Sequence, residues 1–337
     1  MLNRILIAVL IIVAAGISAA SGLSWRVLNA PMAIPASGAR LEVPPGTALG
    51  SVTDDLAQRA ILDAPWVLSL YARLRGDATR IHAGEYDIAA ETTPRQLLHQ
   101  LVDGEVILHT LTVVEGWRFD EFLTVLREHP AIIASDDDAG NIMRKLGAEG
   151  LHPEGKFYPD TYSFPRGTTD LEVLRQAYQA LNELLATVWE QRQTEVLKNP
   201  YEVLVLASII EKETALSSER QRIAGVFTRR LRRGMRLQTD PTVIYGLGDR
   251  FDGNLTRRDL ATDTPYNTYT RAGLPPTPIA LPGGAALRAA VAPDNSAALF
   301  FVATGDPDGG HYFSTSLEEH EQAVSRYLER LRNPEVH

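Results

Sequence analysis

An apolar run that opens at Val203 ends on Glu211-Lys212-Glu213-Thr214. A carboxyl group set against apolar neighbours loses hydration in its charged form, so its pKa rises and it holds a proton near neutral pH, as a general acid must. On a helix Glu211 shares a face with Leu204, Ala207 and Ala215. Glu213 lies about 200° round from it and is expected to face water. Glu211 also reads as a surface residue paired with Lys212 or Arg220, the commoner behaviour of such glutamates.

Downstream come Leu237-Gln238-Thr239-Asp240-Pro241-Thr242 and Pro265-Tyr266-Asn267-Thr268-Tyr269. Asp240, flanked by the hydrogen-bonding Gln238 and Thr239, supplies a second carboxylate or marks an Asp-Pro turn. Tyr266 and Tyr269 offer ring faces to a pyranose and Asn267 an amide to hydroxyl or N-acetyl groups; the rings could equally anchor their loop to the core. The stretch from Asp263 to Gly284, rich in proline and glycine, is expected to be a long ordered loop, a type that is usually functional.

Other chemistries fit less well. The chain lacks cysteine, so it has no thiolate nucleophile, disulfide or cysteine zinc site. No two histidines stand four apart, and HExxH, EF-hand, G-x-S-x-G and Walker patterns are absent. Asp136-Asp137-Asp138 is expected to be a solvated turn or helix start rather than a cation site. No metal and no cofactor are expected. A net charge of -9 over 337 residues argues against nucleic acid as a partner, because phosphate binding needs a basic surface. Glycosidic chemistry remains, in which a protonated carboxyl sits beside the leaving oxygen and an oxocarbenium-like centre is stabilised.

The elements that must position these groups follow from periodicity and breakers. Ile5 to Leu23 is uncharged and just long enough to cross a bilayer as a helix. It reads as an anchor in preference to a cleaved signal peptide, because the apolar stretch runs past the weak site at Ser18-Ala19-Ala20. Arg4 places the amino terminus in the cytoplasm. Ser24 to Ala39, rich in proline and alanine, reads as a tether. Strands are expected at 40–43, 84–88, 108–114, 299–303 and 311–314, the last two joined through Asp306 to Gly310. Helices are expected at 49–58, 65–74, 93–102, 119–129, 169–193 and 202–233, the last broken near Ser217, which would cap its second half. Pro153 to Tyr162 reads as a loop, and Ser316 with Glu319 as a capping box opening a final helix to about Arg332. The expected fold is α+β.

Val43-Pro44-Pro45-Gly46, a helical pair, and then His82 to Tyr86 resemble the LysM-like modules that hold glycan strands; a mere spacer is the alternative. The central blocks resemble a specific family. Ala207 to Thr214, Gly234 to Gly246, Tyr266-Asn267-Thr268-Tyr269, Gly273-Leu274-Pro275-Pro276 and Gly310 to Ser314 look like the endolytic murein transglycosylases of the MltG (YceG-like) family. The resemblance implies an anchor at 1–23, a linker at 24–39, a LysM-like module at 40–106 and a mixed α/β catalytic domain at 107–337. It implies a lyase that cuts the MurNAc-GlcNAc bond within peptidoglycan strands and leaves a 1,6-anhydro end. It also implies Glu211 as acid and then base, because the family carries its catalytic glutamate in the block matched by Ser208 to Thr214. Gln238, Thr239, Asp240, Tyr266, Asn267 and Tyr269 are the expected substrate-binding residues. The implied setting is the bacterial inner membrane, with the catalytic domain on the periplasmic side and peptidoglycan synthases as candidate partners. The alternatives are a tethered peptidoglycan-binding scaffold without catalysis and a muramidase-type hydrolase. An older association of the family with aminodeoxychorismate lyase does not suit an exported chain without a pyridoxal lysine context.

Overall fold

The structure is a computed structural model that describes residues 2–307 and 309–332, with the side chains of residues 2, 3 and 8 outside that description. Asp308, within the expected turn from Asp306 to Gly310, lies outside the described residues, as do 333–337. The chain forms two compact units: residues 1–110, 130–133 and 163–168 make the first, and residues 111–129, 134–162 and 169–337 the second. Among the described residues the strands form four two-stranded sheets in a mixed α/β chain.

The first unit opens with α1 (Leu2–Asn29), whose segment Arg4–Asn29 is long and apolar enough to cross a membrane. Then follow β1 (Ala39–Val43), α2 (Leu49–Gln58), α3 (Pro65–Arg75), β2 (Gly84–Ile88) and α4 (Pro94–Asp103). β1 and β2 pair antiparallel from Ala39 opposite Ile88 to Val43 opposite Gly84. Between them α2 and α3 bury Leu56, Val67, Leu68 and Ala72 against Tyr86, Ile88, Leu97 and Leu101. α4 begins with a reciprocal capping box between Thr93 and Gln96.

The first part of the stretch expected as a tether, 24–39, is helix and core instead. α1 continues through Ser24 to Asn29, since that stretch contains no proline or glycine and the first proline after it is Pro31. Leu28 and Met32 are buried in the first unit's core, the Met32 N–H donates to the Thr92 carbonyl at 3.0 Å, and the Ala33 N–H to that of Ile61 at 3.1 Å.

The remaining elements are β3 (Leu108–Thr112), α5 (Phe119–Glu128), β4 (Ile132–Ile133), α6 (Ala139–Lys145), β5 (Thr161–Pro165), β6 (Thr168–Thr169), α7 (Asp170–Glu190), α8 (Pro200–Glu213), α9 (Arg220–Arg232), α10 (Asp240–Leu247), α11 (Arg257–Ala261), α12 (Gly284–Val291), β7 (Phe300–Ala303), β8 (His311–Ser314) and α13 (Leu317–Arg332). The acidic run proves to be a helix start, with the Asp138 carboxylate accepting from the Asn141 N–H.

In the second unit α8 is surrounded by α7, α9, α10 and α12. Every residue from Val203 to Ile210 is buried, the mark of a helix that is apolar all round. Asn199 caps its start, Pro200 occupies the first turn, and the chain turns extended at Thr214, so Glu211 and Glu213 stand in the last turn. α9 opens at Glu219 rather than at Ser217. α10 opens where Asp240-Pro241 left a turn open, because proline fits the first turn of a helix as well as it fits a bend.

Gly155 shows how tightly the loop from Asp263 to Gly284 is held. Its φ is +73°, and a β-carbon there would fall 2.4 Å from Cβ of Pro278 and 3.2 Å from the Ala280 carbonyl. Neither a proline ring nor a backbone oxygen yields cheaply. Gly155→Ala is therefore expected to destabilise the second unit by about 2–4 kcal/mol, combining left-handed strain with overpacking. Urea unfolding of the full chain checks this.

Candidate active site

The two glutamates of the last turn of α8 point apart, and only one meets the residues expected to grip a sugar. Glu211 is 6% exposed and fully engaged. One carboxylate oxygen accepts the Gly283 N–H at 2.9 Å, and the other lies 3.4 Å from a guanidinium nitrogen of Arg220, which also stands 4.0 Å from Glu115. Burial, with Glu115 adding like charge, raises the Glu211 pKa against the opposing pull of the Gly283 N–H and Arg220. None of these groups lines the cavity described next.

Glu213, expected in water, is half-buried and faces a cavity of about 510 Å³, within the range of small-ligand sites. Gln238, Thr239, Asp240 and Tyr269 line it with Arg230, His311 and the strand β7. The Thr239 hydroxyl donates to Oε1 of Glu213, and Oε2 takes no hydrogen bond from the described residues. The Glu213 pKa is pushed up to about 7, chiefly by burial and further by the Asp240 charge, while the Thr239 hydroxyl, His311 and Arg230 pull it down. The shift favours the protonated form that a general acid needs near neutral pH.

The cavity wall is built from short-range pairings. The Gln238 N–H donates to the Thr268 carbonyl at 3.2 Å with φ at +51°, a left-handed conformation rare for a side-chain residue and frequent at functional sites. The Thr239 N–H donates to the Thr268 hydroxyl, which shares a further hydrogen bond of 2.8 Å with that of Thr242, at the start of α10. The Tyr269 hydroxyl donates to Asp240 at 2.5 Å, orienting that carboxylate. Arg230 donates to the carbonyls of Leu237 and Leu299, both at 2.7 Å, and so ties this wall to the start of β7. β7 and β8 pair with Ala303 opposite His311. Glu219, just before α9, accepts the His311 N–H at 2.8 Å and its Nδ1 at 2.7 Å, fixing the imidazole at the cavity wall.

Two expected binding residues do other work. Asn267 is fully buried; its amide donates to the carbonyls of Asp259, Leu260 and Thr262 and its oxygen accepts the Tyr269 N–H, so it shapes the loop and leaves no polar atom for a ligand. Tyr266 packs edge-on against Tyr245 at 4.9 Å and hydrogen-bonds Thr277 at 2.8 Å, anchoring the loop as the alternative reading held. The cavity also holds Glu213, which helical spacing sends to water, and Arg230 and His311, which residue type alone does not mark as site groups. The signal for Glu213 was its place two residues after Glu211, on the opposite side of the helix.

The sequence matches the YceG-like family over residues 41–326. A relative in Bacillus subtilis named endolytic murein transglycosylase is 29% identical over 311 residues, covering 86% of this chain and 84% of that protein. A protein of the same name in Streptococcus pneumoniae is 26% identical over 325 residues; the match takes in 86% of this chain but 58% of that longer protein. A crystal structure of a yceG-like protein from Listeria monocytogenes superposes with a TM-score of 0.53 at 28% identity, over 85% of this chain and 98% of that one. With most of its length matched, this chain belongs to the YceG-like family.

Proposed function

We propose that this chain is an endolytic lytic transglycosylase that cuts the MurNAc-GlcNAc bond within peptidoglycan strands, with Glu213 as its acid and then its base. The observation that carries the reading is a single raised carboxyl, Glu213, facing the cavity that Gln238, Thr239, Asp240 and Tyr269 line.

Protonated Glu213 donates to the glycosidic oxygen as the C1–O bond breaks, and the GlcNAc hydroxyl leaves. The carboxylate so formed takes the proton of the muramic acid 6-hydroxyl, and O6 closes on C1 to give the 1,6-anhydro ring. Atoms balance without water, and the enzyme regains its proton. One group serves both steps because the first transfer makes the base for the second. Asp240, oriented by Tyr269, offers negative charge to the oxocarbenium-like centre. The Thr239 hydroxyl fixes the rotamer of Glu213 and leaves Oε2 as the transferring atom.

α1 serves in this reading as a single-pass anchor in the bacterial inner membrane, with both units on the periplasmic side. Residues 40–106 act as a LysM-like glycan-holding module and 107–337 as the catalytic domain; peptidoglycan synthases are the natural partners of an enzyme that acts on strands near the membrane.

Mass spectrometry of digested glycan strands tests the reaction. Anhydro ends from wild type, absent with Glu213→Gln, are expected. Hydrated reducing ends alone would leave a muramidase-type hydrolase, and no cleavage by the wild type would leave a tethered scaffold.

The Glu213 carboxyl also sets the pH dependence. Its pKa is raised, so the acid form prevails below about 7 and is lost above it. Bond cleavage is expected to hold on the acid side and to fall roughly tenfold per pH unit once well above that value. Initial rates of anhydro-end release across pH measure it.

A further inference from the structure

We propose that the exposed face of α3 lies in the headgroup layer of the same bilayer that holds α1, seating the first unit on the membrane instead of suspending it on a tether. The inference rests on reading α1 as an anchor.

Trp66, Leu70 and Leu74 recur every four residues and so form one strip along α3. They are 63%, 48% and 80% exposed, whereas Leu68 and Ala72 on the other side of the helix, and Val67 in its first turn, are buried in the core. Single exposed leucines are ordinary, but a tryptophan and two leucines aligned on one short helix make a patch that calls for an occupant.

The course of α1 identifies that occupant. Crossing the hydrocarbon takes about 20 residues, so a span opening at Ile5 ends near Ser24. Trp25, 67% exposed, and Arg26 follow at once, a pair suited to the interface. One turn later Leu28 is already buried in the first unit's core, and α1 packs directly on α3 and α4. No flexible segment separates the span from α3. Arg73, beside the strip by helical spacing, is exposed and has no ion pair among the described residues, while the exposed Arg75, the last residue of α3, and Arg80 beyond it pair with Asp77 at 2.8 Å and 3.1 Å. An apolar strip with an interfacial tryptophan and neighbouring arginines fits an anionic lipid surface.

The absence of native cysteine makes a direct test simple. Full-length chains carrying Leu70→Cys, Leu74→Cys, Val13→Cys in α1 or the exposed control Leu151→Cys are spin-labelled and reconstituted in phosphatidylethanolamine and phosphatidylglycerol vesicles. Collision with oxygen relative to a water-soluble nickel chelate is then measured. At positions 70 and 74 this ratio should exceed that at 151 severalfold and stay below that at 13. A ratio at 74 equal to that at 151, with 13 in lipid, overturns the docking and leaves the anchor standing. Aqueous values at 13 as well overturn both. Spin–spin broadening at 74 that disappears on dilution with unlabelled chain would make a second copy the occupant and also overturn the proposal.

Discussion

Glu213→Gln is expected to lower the rate of strand cleavage by about 10²–10⁴-fold, the range that removal of a general acid–base group spans. Glutamine keeps the size of the side chain and can still accept from the Thr239 hydroxyl, so the cavity should survive while the transferable proton is lost. Glu211→Gln makes the decisive comparison. Glu211 is tied to the Gly283 N–H and to Arg220, away from the cavity, so its loss should cost about 1–3 kcal/mol of stability and leave cleavage within about tenfold of wild type. Release of anhydro-terminated fragments, followed by mass spectrometry beside urea unfolding of both variants, separates the two roles. Near-normal cleavage by Glu213→Gln with loss in a folded Glu211→Gln would return the chemistry to Glu211.

The residues explain why the sequence points to this block but not to which of its glutamates meets the cavity. The buried run from Val203 to Ile210 announces a core helix, and two glutamates in its last turn oppose the helix dipole, a local departure of the kind that marks functional sites. Glu211 is both buried and paired with Arg220, so each of its two sequence readings holds in part, and neither burial nor pairing identifies the carboxyl that meets the cavity. Which carboxylate meets the cavity depends on where α10, β7 and β8 lie around α8, and those non-local contacts have no period in the sequence. Gln238, Thr239, Asp240 and Tyr269 were legible because polar and aromatic groups cluster there, and the structure brings all four to Glu213. Asn267 and Tyr266 belong to the same motif but serve the loop's own hydrogen bonds and packing, a division that residue type does not reveal. The helices from α2 to α5 follow their apolar spacing and breakers closely. β4 and β6, two residues each, carry too few residues for a pattern, β5 begins inside the stretch from Pro153 to Tyr162 that reads as a loop, and α1 passes its expected end because nothing from Ser24 to Asn29 stops a helix.

Arg230→Met should act on both fold and chemistry. The buried guanidinium holds the carbonyls of Leu237 and Leu299, and methionine keeps the aliphatic length while leaving both acceptors without that donor. A loss of about 2–5 kcal/mol follows from two stranded buried oxygens. The same cation pulls the Glu213 pKa down, so its removal should raise that pKa further and carry the alkaline limb of the cleavage profile to higher pH. The direction is diagnostic: a variant that merely loosened the fold would admit water to the cavity, lessen the burial that raises the pKa, and carry the limb toward lower pH. Urea unfolding and a pH profile recorded well below the unfolding midpoint measure the two effects separately. An unchanged limb in a folded protein would mean that Arg230 supports the cavity wall without acting on the acid, and a limb that moved down would place the loss of burial above the loss of charge.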